Sequence, residues 1–326
     1  MNKLRTWSAL LLLAGTGLAS SAQDFPNRTL RAVVPYPAGS GPDLAARSVA
    51  QPMSATLGKA VVVENRPGGG GIPAVNELMN APADGHTLLV PDSSQWAVFP
   101  VLRSKLPYDP VRDFAPVGMI YYGAQFVYVR ADSPYKDMRE LIAAARAKPG
   151  SLQYGVIGLG GLIHLVGEAI RTSAGMEVQA IPYPGSPEMV SALLRGDLPY
   201  ALASLGGPLA PNVKAGKLRP LAVSTRARAK TLPDVPTVRE ILGLTDFDFD
   251  FGSSLGMVAR AGTPAANIER LSSALNQALA LPEVLAQAAN SGFELIPSTP
   301  AQMAETIRVD LRKFAQVVKD AKIKIE

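Results

Sequence analysis

The sequence predicts an α/β fold of two domains, with mostly parallel sheets flanked by helices. Short β-branched runs alternate with helical stretches, the pattern of strands joined by crossover helices. The chain has 326 residues, and domains average about 150 residues. The composition is 47% hydrophobic and 18% charged, which suits a packed globular protein rather than a disordered one. Gly and Pro are abundant, at 29 and 28, and have no period, so they punctuate many short elements.

The elements follow in order. Thr29 to Val34 reads as a strand ending at Pro35, and Asp43 to Leu57 as a helix that Pro52 should kink. Ala60 to Glu64 is a second strand, followed by a loop from Asn65 to Gly71. Thr87 to Val90 and Phe126 to Arg130 are further strands. Ser133 is expected to cap a helix with Pro134 at its first position and Pro149-Gly150 at its end. Leu152 to Ile157 is a strand running into a glycine-rich loop, and Ile163 to Thr172 is the helix after it. Leu218 to Ser224 contains another buried-type strand. Helices then start at Thr263-Pro264, running to Ala280, and at Pro282, stopped by Gly292. The last begins at Ser298-Thr299-Pro300. Its apolar residues Met303, Ile307, Leu311, Phe314 and Val318 recur at helical spacing and form one core-facing stripe.

The beginning of the chain reads as a secretory signal peptide. Lys3 and Arg5 are its positive region and Trp7 to Ala14 its apolar centre, with Ser20 and Ala22 as small residues before a cut after Ala22. The apolar stretch is shorter than the ~20 residues that span a bilayer. Removing Lys3 and Arg5 leaves 30 basic residues against 27 acidic ones, a dispersed surplus of three. No basic run is interleaved with aromatics, which argues against nucleic acid. Cysteine is absent, which excludes disulfides, thiolate metal sites and Cys nucleophiles. The two histidines, His86 and His164, are far apart in sequence. No metal or other cofactor is expected.

Gly252-Ser253-Ser254-Leu255-Gly256 matches the G-x-S-x-G nucleophile elbow. The elbow needs a helix directly after it and a later His. Here a strand and a turn follow, and no His lies beyond His164. Gly155 to Gly161 follows a strand and precedes a helix, like a dinucleotide loop. Counted from Gly158, however, Ile163 stands where the last Gly belongs, and no Walker pattern occurs. Gly158, Leu159, Gly160 and Gly161 still allow a close approach to the backbone beside a helix N-terminus, which suits an anion. The alternative is a plain strand-to-helix turn. The loop Pro35 to Asp43 has the same design, with Ala38, Gly39, Ser40 and Gly41 able to present N–H groups. Asp43, four residues before Arg47, organises that loop rather than touching an anion. His164 either faces the core or orients the glycine loop.

Several segments in the right order now resemble one family. VVPYPAGSGPD (33–43), VVVENRPGGGG (61–71), ADGHTLL (83–89) and LPYDPVRDFAPVG (106–118) are similar to the Bug-type receptors. So are Ile163-His164-Leu165, IPYPGSPEMVSALLRGD (181–197), VKAGKLRPLAVSTRAR (213–228), LPDVPTV (232–238) and ARAGTP (259–264). These receptors are the periplasmic solute-binding proteins of tripartite tricarboxylate transporters, and the resemblance covers residues 24–326.

The resemblance implies a type II, two-domain Venus-flytrap periplasmic binding protein with parallel or mixed sheets flanked by helices. It implies one discontinuous domain of residues 23–123 plus 225–326, and a second of residues 124–224. The chain would cross between them near Tyr121 to Val127 and Val223 to Arg226. Carried over, a ligand carboxylate would sit between Tyr36 to Asp43 and Gly158 to His164. Asp92 to Trp96, including Ser93, Ser94 and Gln95, would line the rest of the cleft with Tyr183, Pro184 and Gly185. Where relatives often have Phe-Asp-Asn, this chain has Leu202-Ala203-Ser204. Ser204 can hydrogen-bond, and the missing acid at Ala203 implies a ligand without an amino group, a di- or tricarboxylate or an aromatic acid. The implied protein is an exported monomer in the periplasm. It is not an enzyme, and it hands its ligand to membrane transporter subunits. The alternative is a sensor that presents the closed form to a membrane kinase.

Overall fold

The computed structural model describes residues 25–244, 249–290 and 292–323. The expected signal peptide, residues 1–22, lies outside them. The first half runs β1 (Leu30–Val34), α1 (Gly41–Leu57), β2 (Val61–Asn65), α2 (Ile72–Asn80) and β3 (Thr87–Leu89). A π-helical turn (Ser94–Val98), α3 (Phe99–Leu102) and α4 (Pro110–Asp113) lead to β4 (Phe114–Arg130). Next come α5 (Met138–Ala147), β5 (Leu152–Ile157), α6 (Leu162–Ser173), β6 (Val178–Tyr183), α7 (Ser186–Arg195), β7 (Tyr200–Ser204), α8 (Leu209–Lys214) and β8 (Leu218–Val223). The chain returns through α9 (Val238–Leu242), β9 (Gly252–Arg260), α10 (Ala265–Leu279), α11 (Pro282–Asn290), β10 (Glu294–Leu295) and α12 (Pro300–Asp320).

The strands form a curled sheet in the order β2-β1-β3-β9-β4-β7-β5-β6, with β8 and β10 also on β4. It is mixed rather than mostly parallel. β1 is parallel to β2 and β3, and β5 to β6 and β7, but every neighbour of β4 is antiparallel. β4 is 17 residues long, much longer than the Phe126–Arg130 strand expected. Pro116, Gly118 and Gly123 read as breakers in sequence, yet register shifts beside Pro116 and Met119 absorb the irregularity. From Phe114 to Ala124 the strand pairs with β9, and from Gln125 onward with β7 and, after one more residue, β8. The return passes the same point: the Ser224 N–H donates to the Gln125 carbonyl at 2.9 Å, and the Phe251 N–H to the Ser224 carbonyl at 3.0 Å.

Three apolar clusters hold the layers. One lies under α1 and α10, a second under α7 and α8, and a third joins α2, the π turn, α6 and α12 across both parts of the sheet. The predicted stripe of α12 is in this third cluster: Met303, Ile307, Phe314 and Val318 are buried, and Leu311 packs against them. Thr299 and Gln302 form a capping box at its start.

Ser133 does not cap α5. Asp137 does, accepting the Glu140 N–H at 2.9 Å, while Glu140 accepts the Lys136 N–H at 2.7 Å. Ser133 accepts only the Tyr135 N–H, at 3.3 Å, in a local turn before the helix. A carboxylate, with Glu140 closing on the preceding backbone, outcompetes a lone hydroxyl for the helix start. α1 continues through Pro52 without a break. Helices α2 and α7 and strands β6 and β7 are additional to the elements expected from the sequence.

Phe314 is 1% exposed and its ring lies 5.6 Å from that of Phe251. Phe314→Ala should cost about 3–5 kcal/mol of stability in a denaturant titration. Leu285→Ala, at a side chain 49% exposed, should stay within about 0.5 kcal/mol of the parent.

Candidate functional site

Register alone brings two sets of loops to one place. Asp92, just past β3, bridges Leu255, and Leu255 pairs with Tyr121 of β4. From the other side, Ser204 at the end of β7 pairs with Gln125. The carboxyl ends of β1 and β3, and those of β5, β6 and β7, therefore face the stretch Tyr121–Gln125. That stretch is about 13 Å long at ~3.3 Å per residue. Such points, where the strand order reverses, are where open α/β sheets hold ligands.

The first loop runs from β1 to α1 and is built around Asp43, which is 1% exposed. Its carboxylate accepts the Gly39 N–H (2.8 Å), the Asn65 amide (2.8 Å) and the Arg47 guanidinium (3.1 Å). Burial alone would raise its pKa, but hydrogen bonds from Arg47, Asn65 and Gly39 outweigh that and hold it below the usual range. Asp43 thus organises the loop and has no oxygen to spare. The Ser40 N–H also turns inward, to the Pro37 carbonyl at 3.2 Å. Of the amides Ala38 to Gly41, only those of Ala38 and Gly41 lack an acceptor among the described residues. The Ser40 hydroxyl is buried there without a partner, beside the N-terminus of the 17-residue helix α1.

Tyr36 ties this loop to the next. Its hydroxyl donates to Asp92 Oδ2 at 2.5 Å, while the Ser94 N–H donates to Asp92 Oδ1 at 2.8 Å. The Asp92 N–H goes to Gln95 Oε1 (2.9 Å) and Gln95 Nε2 to the Gly70 carbonyl (3.4 Å). Ser93 Oγ accepts the Ser254 N–H at 3.2 Å. Ser93, Ser94 and Gln95 are all buried, so their role in the structure is to clamp the loops. Burial pushes the Asp92 carboxyl up, against the lowering pull of Tyr36 and Ser94, and pushes the Tyr36 phenol well above its ordinary value.

The glycine loop joins β5 to α6. Gly158 and Gly160 have φ of +72° and +71°, a region closed to β-branched side chains. The Gly158 N–H donates to the Tyr183 carbonyl at 3.3 Å, and the Gly160 N–H to His164 Nδ1 at 3.1 Å. Those of Leu159 and Gly161 meet no acceptor among the described residues. His164 therefore orients the loop rather than filling the core. Leu159 at the loop tip is 58% exposed. Tyr183, Pro184 and Gly185 join β6 to α7, with Gly185 at the helix cap. Leu102 of α3 comes within 4.0 Å of where a Gly160 Cβ would stand, which brings the first half against the glycine loop.

Two residues differ from their sequence reading. Ala203 is 1% exposed and packs into the cluster under α7 and α8, as strand alternation dictates. Its side chain is spent on that packing rather than open to the neighbouring loops. Ser204, its neighbour, is half-buried. Gln125 was missed by sequence reasoning. It is 2% exposed, its Nε2 donates to the Gly123 carbonyl at 3.2 Å, and its Oε1 has no partner. The available signal was a lone amide beside the apolar run from Phe126 to Val129.

The elbow motif lies inside β9, where Ser254 is 4% exposed and paired with Tyr122. His86 packs against Phe25 and Asp84, and His164 against Gly160, so neither is bonded to Ser254. Among the described residues no group of His, Asp and Glu is placed to hold a metal ion, and no helix is long and apolar enough to cross a membrane. A cavity of about 630 Å³ opens behind the glycine loop, lined by Leu159, His164, Glu168 and Arg171. It includes no residue of the first loop.

His164 accepts through Nδ1, so it must be unprotonated there. Burial holds its pKa below 6.5, with Glu168 opposing and Arg171 assisting. The unfolded chain thus binds the proton more readily, and this part of the stability is present above pH ~6.5 and lost as pH falls through the folded value. Melting temperatures from pH 8 to pH 5 should fall more steeply for the parent protein than for His164→Gln. Parallel curves would remove the role assigned to this bond.

The chain matches the family described as tripartite tricarboxylate transporter family receptor over residues 45–323. It is 34% identical over 317 residues to a UPF0065 protein of Bordetella bronchiseptica, covering 97% of this chain and 92% of that one. Among solved structures, an R. palustris protein with adipate superposes with a TM-score of 0.80 at 30% identity, covering 92% and 99% of the two chains. The periplasmic binding protein BugD superposes with a TM-score of 0.77 at 28% identity, covering 92% and 99%. The fold is the two-domain Venus-flytrap fold of periplasmic binding proteins, with mixed sheets flanked by helices. The chain belongs to the tripartite tricarboxylate transporter receptor family.

Proposed function

We propose that this receptor is exported to the periplasm, with its signal peptide cut after Ala22, and works there as a monomer. It captures a small organic carboxylate and delivers it to the membrane subunits of a tripartite tricarboxylate-type transporter, without chemical conversion. Residues 23–123 and 225–326 form one domain, residues 124–224 the other, and the ligand lies between them. The observation that carries this reading is the pair of pinned loops facing one stretch of β4. Each leaves backbone N–H groups without acceptors beside a helix N-terminus, and anions bind well at such ends. The adipate-bound relative supports the chemistry.

The ligand carries no ammonium group. Both acids in the predicted cleft loops are engaged: Asp43 by Gly39, Asn65 and Arg47, Asp92 by Tyr36 and Ser94. An ammonium buried between these two loops would find neither acid free, which is costly, and Glu188, beside Gly185, is exposed to solvent rather than buried with the ligand. Tyr36, Ala38, Ser40, Gly41, Leu159 and Gly161 face the ligand, with Tyr183, Gly185 and Ser204 at its margin. Asp43, Ser94, Gln95 and His164 hold those groups in place.

A thermal-shift screen against carboxylic acids identifies the ligand, because one that binds only the folded state raises the melting temperature. With that acid, Gly160→Val should weaken binding at least tenfold by calorimetric titration, about 1.4 kcal/mol. A valine at φ of +71° forces the loop to move. Unchanged affinity would make the loop a plain turn. Ser40→Ala separates ligand contact from structure. Removing a buried hydroxyl that has no partner should leave the free protein's melting temperature equal or higher, while the ligand-induced shift should shrink. A lower melting temperature with an intact shift would contradict the assignment.

A further inference from the structure

The segment after α11 comes from the far end of the chain, yet it enters the proposed site. The Phe293 ring lies 3.0 Å from where a Gly41 Cβ would stand and 3.1 Å from where a Gly123 Cβ would stand. It stacks on Tyr121 at 4.0 Å between centroids and 11° between planes. Two bare glycines and one aromatic face thus form a slot for this ring. One of those glycines is the first residue of α1, beside the partnerless Ser40 hydroxyl. Position 293 is fixed on both sides. Its N–H closes α11 on the Ala288 carbonyl at 3.0 Å, and Glu294 and Leu295 pair with Tyr122 and Tyr121. The neighbouring Gly292 reaches across to the other half, where Leu205 lies 3.1 Å from its Cβ position, and Glu294 meets Lys230. Phe293 is half-buried, and its ring edge lies against Gly41, the first residue of α1.

We infer that Phe293 is a specificity-determining residue, the apolar wall that makes the site prefer acids with an unsubstituted carbon body over hydroxylated ones. The inference rests on the carboxylate-binding reading above. An aromatic face offers dispersion contact to methylene groups or a flat ring. It offers no partner to a hydroxyl, whose burial without a hydrogen bond is unfavourable. Selectivity is then set from the C-terminal third of the chain, while the carboxylate is held by the first loop.

Calorimetric titration of the parent, Phe293→Ala and Phe293→Leu with succinate, malate and benzoate tests it. The parent should bind succinate more tightly than malate, and Phe293→Ala should compress that ratio at least fivefold. Phe293→Leu keeps an apolar side chain in the slot and covers the case in which the alanine variant does not fold. It should keep the succinate preference but lose benzoate at least fivefold relative to succinate. Equal losses for all three acids in both variants, or unchanged ratios, would show that the ring only packs the fold. A parent protein that binds none of the three acids, nor any other carboxylate, would overturn the carboxylate reading and this inference with it.

Discussion

Strand β4 must satisfy backbone hydrogen bonds in two different neighbourhoods. Up to Ala124 it pairs with β9, with β10 also on it at Tyr121 and Tyr122, and from Gln125 it pairs with β7 and, from Phe126, with β8 as well. Every buried N–H and C=O needs a partner, so the exchange is made within one residue step, and the return at Ser224 and Phe251 is bonded across the same point. The proposed binding site follows from this exchange. It fixes where the parallel strands of each half end, and so which loops can meet. In the proposed division into two domains it also puts both crossings of the chain at one narrow place, the geometry from which two halves can close on a ligand.

The electrostatics of the meeting place are prepared in advance. Two buried carboxylates stand in the loops, a costly arrangement unless they are fully engaged. Asp43 is held ionised by Arg47, Asn65 and Gly39, and Asp92 accepts from Tyr36 and Ser94. Their oxygens are spent on shaping backbone, which leaves amide dipoles and helix ends facing the space. Preorganised dipoles of this kind need no rearrangement when an anion arrives. A second polar chain supports the π turn from behind: Trp96 Nε1 donates to Asp310 Oδ2 at 3.0 Å, and Lys313 bonds the Asp250 carbonyl at 2.7 Å. The Tyr122 hydroxyl donates to the Asp250 carboxylate at 2.5 Å. The turn that follows Asp92 is thereby braced against the point where the chain returns to β9.

What was legible in the sequence was local chemistry. Glycines between a strand and a helix, an acid four residues before an arginine, and apolar residues at helical spacing each act within a few positions. The two loops, the role of Asp43 and the buried stripe of α12 could therefore be read directly. What was illegible depends on partners distant in sequence. The expected strand began only at Phe126, and the first two-thirds of β4, which contains Pro116, Gly118 and Gly123, takes its register from β9. Ala203 reads as a cleft position from the resemblance, and its burial in the cluster under α7 and α8 shows that it packs into the core. Gln125 and Phe293 stand about 170 positions apart. They come together only because β10 and β7 lie along the same strand. The start of α5 failed for a different reason, since Ser133 and Asp137 both suit a cap, and the Asp137 bond to the Glu140 N–H, with Glu140 closing on Lys136, decides between them.

The central claim is that one carboxylate is held by amides from both loops at the stretch of β4 that changes partners. A crystal structure with the tightest-binding acid tests this most directly. The account predicts a carboxylate oxygen at about 2.9 Å from an amide of the Ala38–Gly41 segment, with the Leu159 or Gly161 amide also bonded to the ligand, directly or through one water. A ligand seated instead in the cavity lined by Glu168 and Arg171, or touching only one of the two loops, would contradict it.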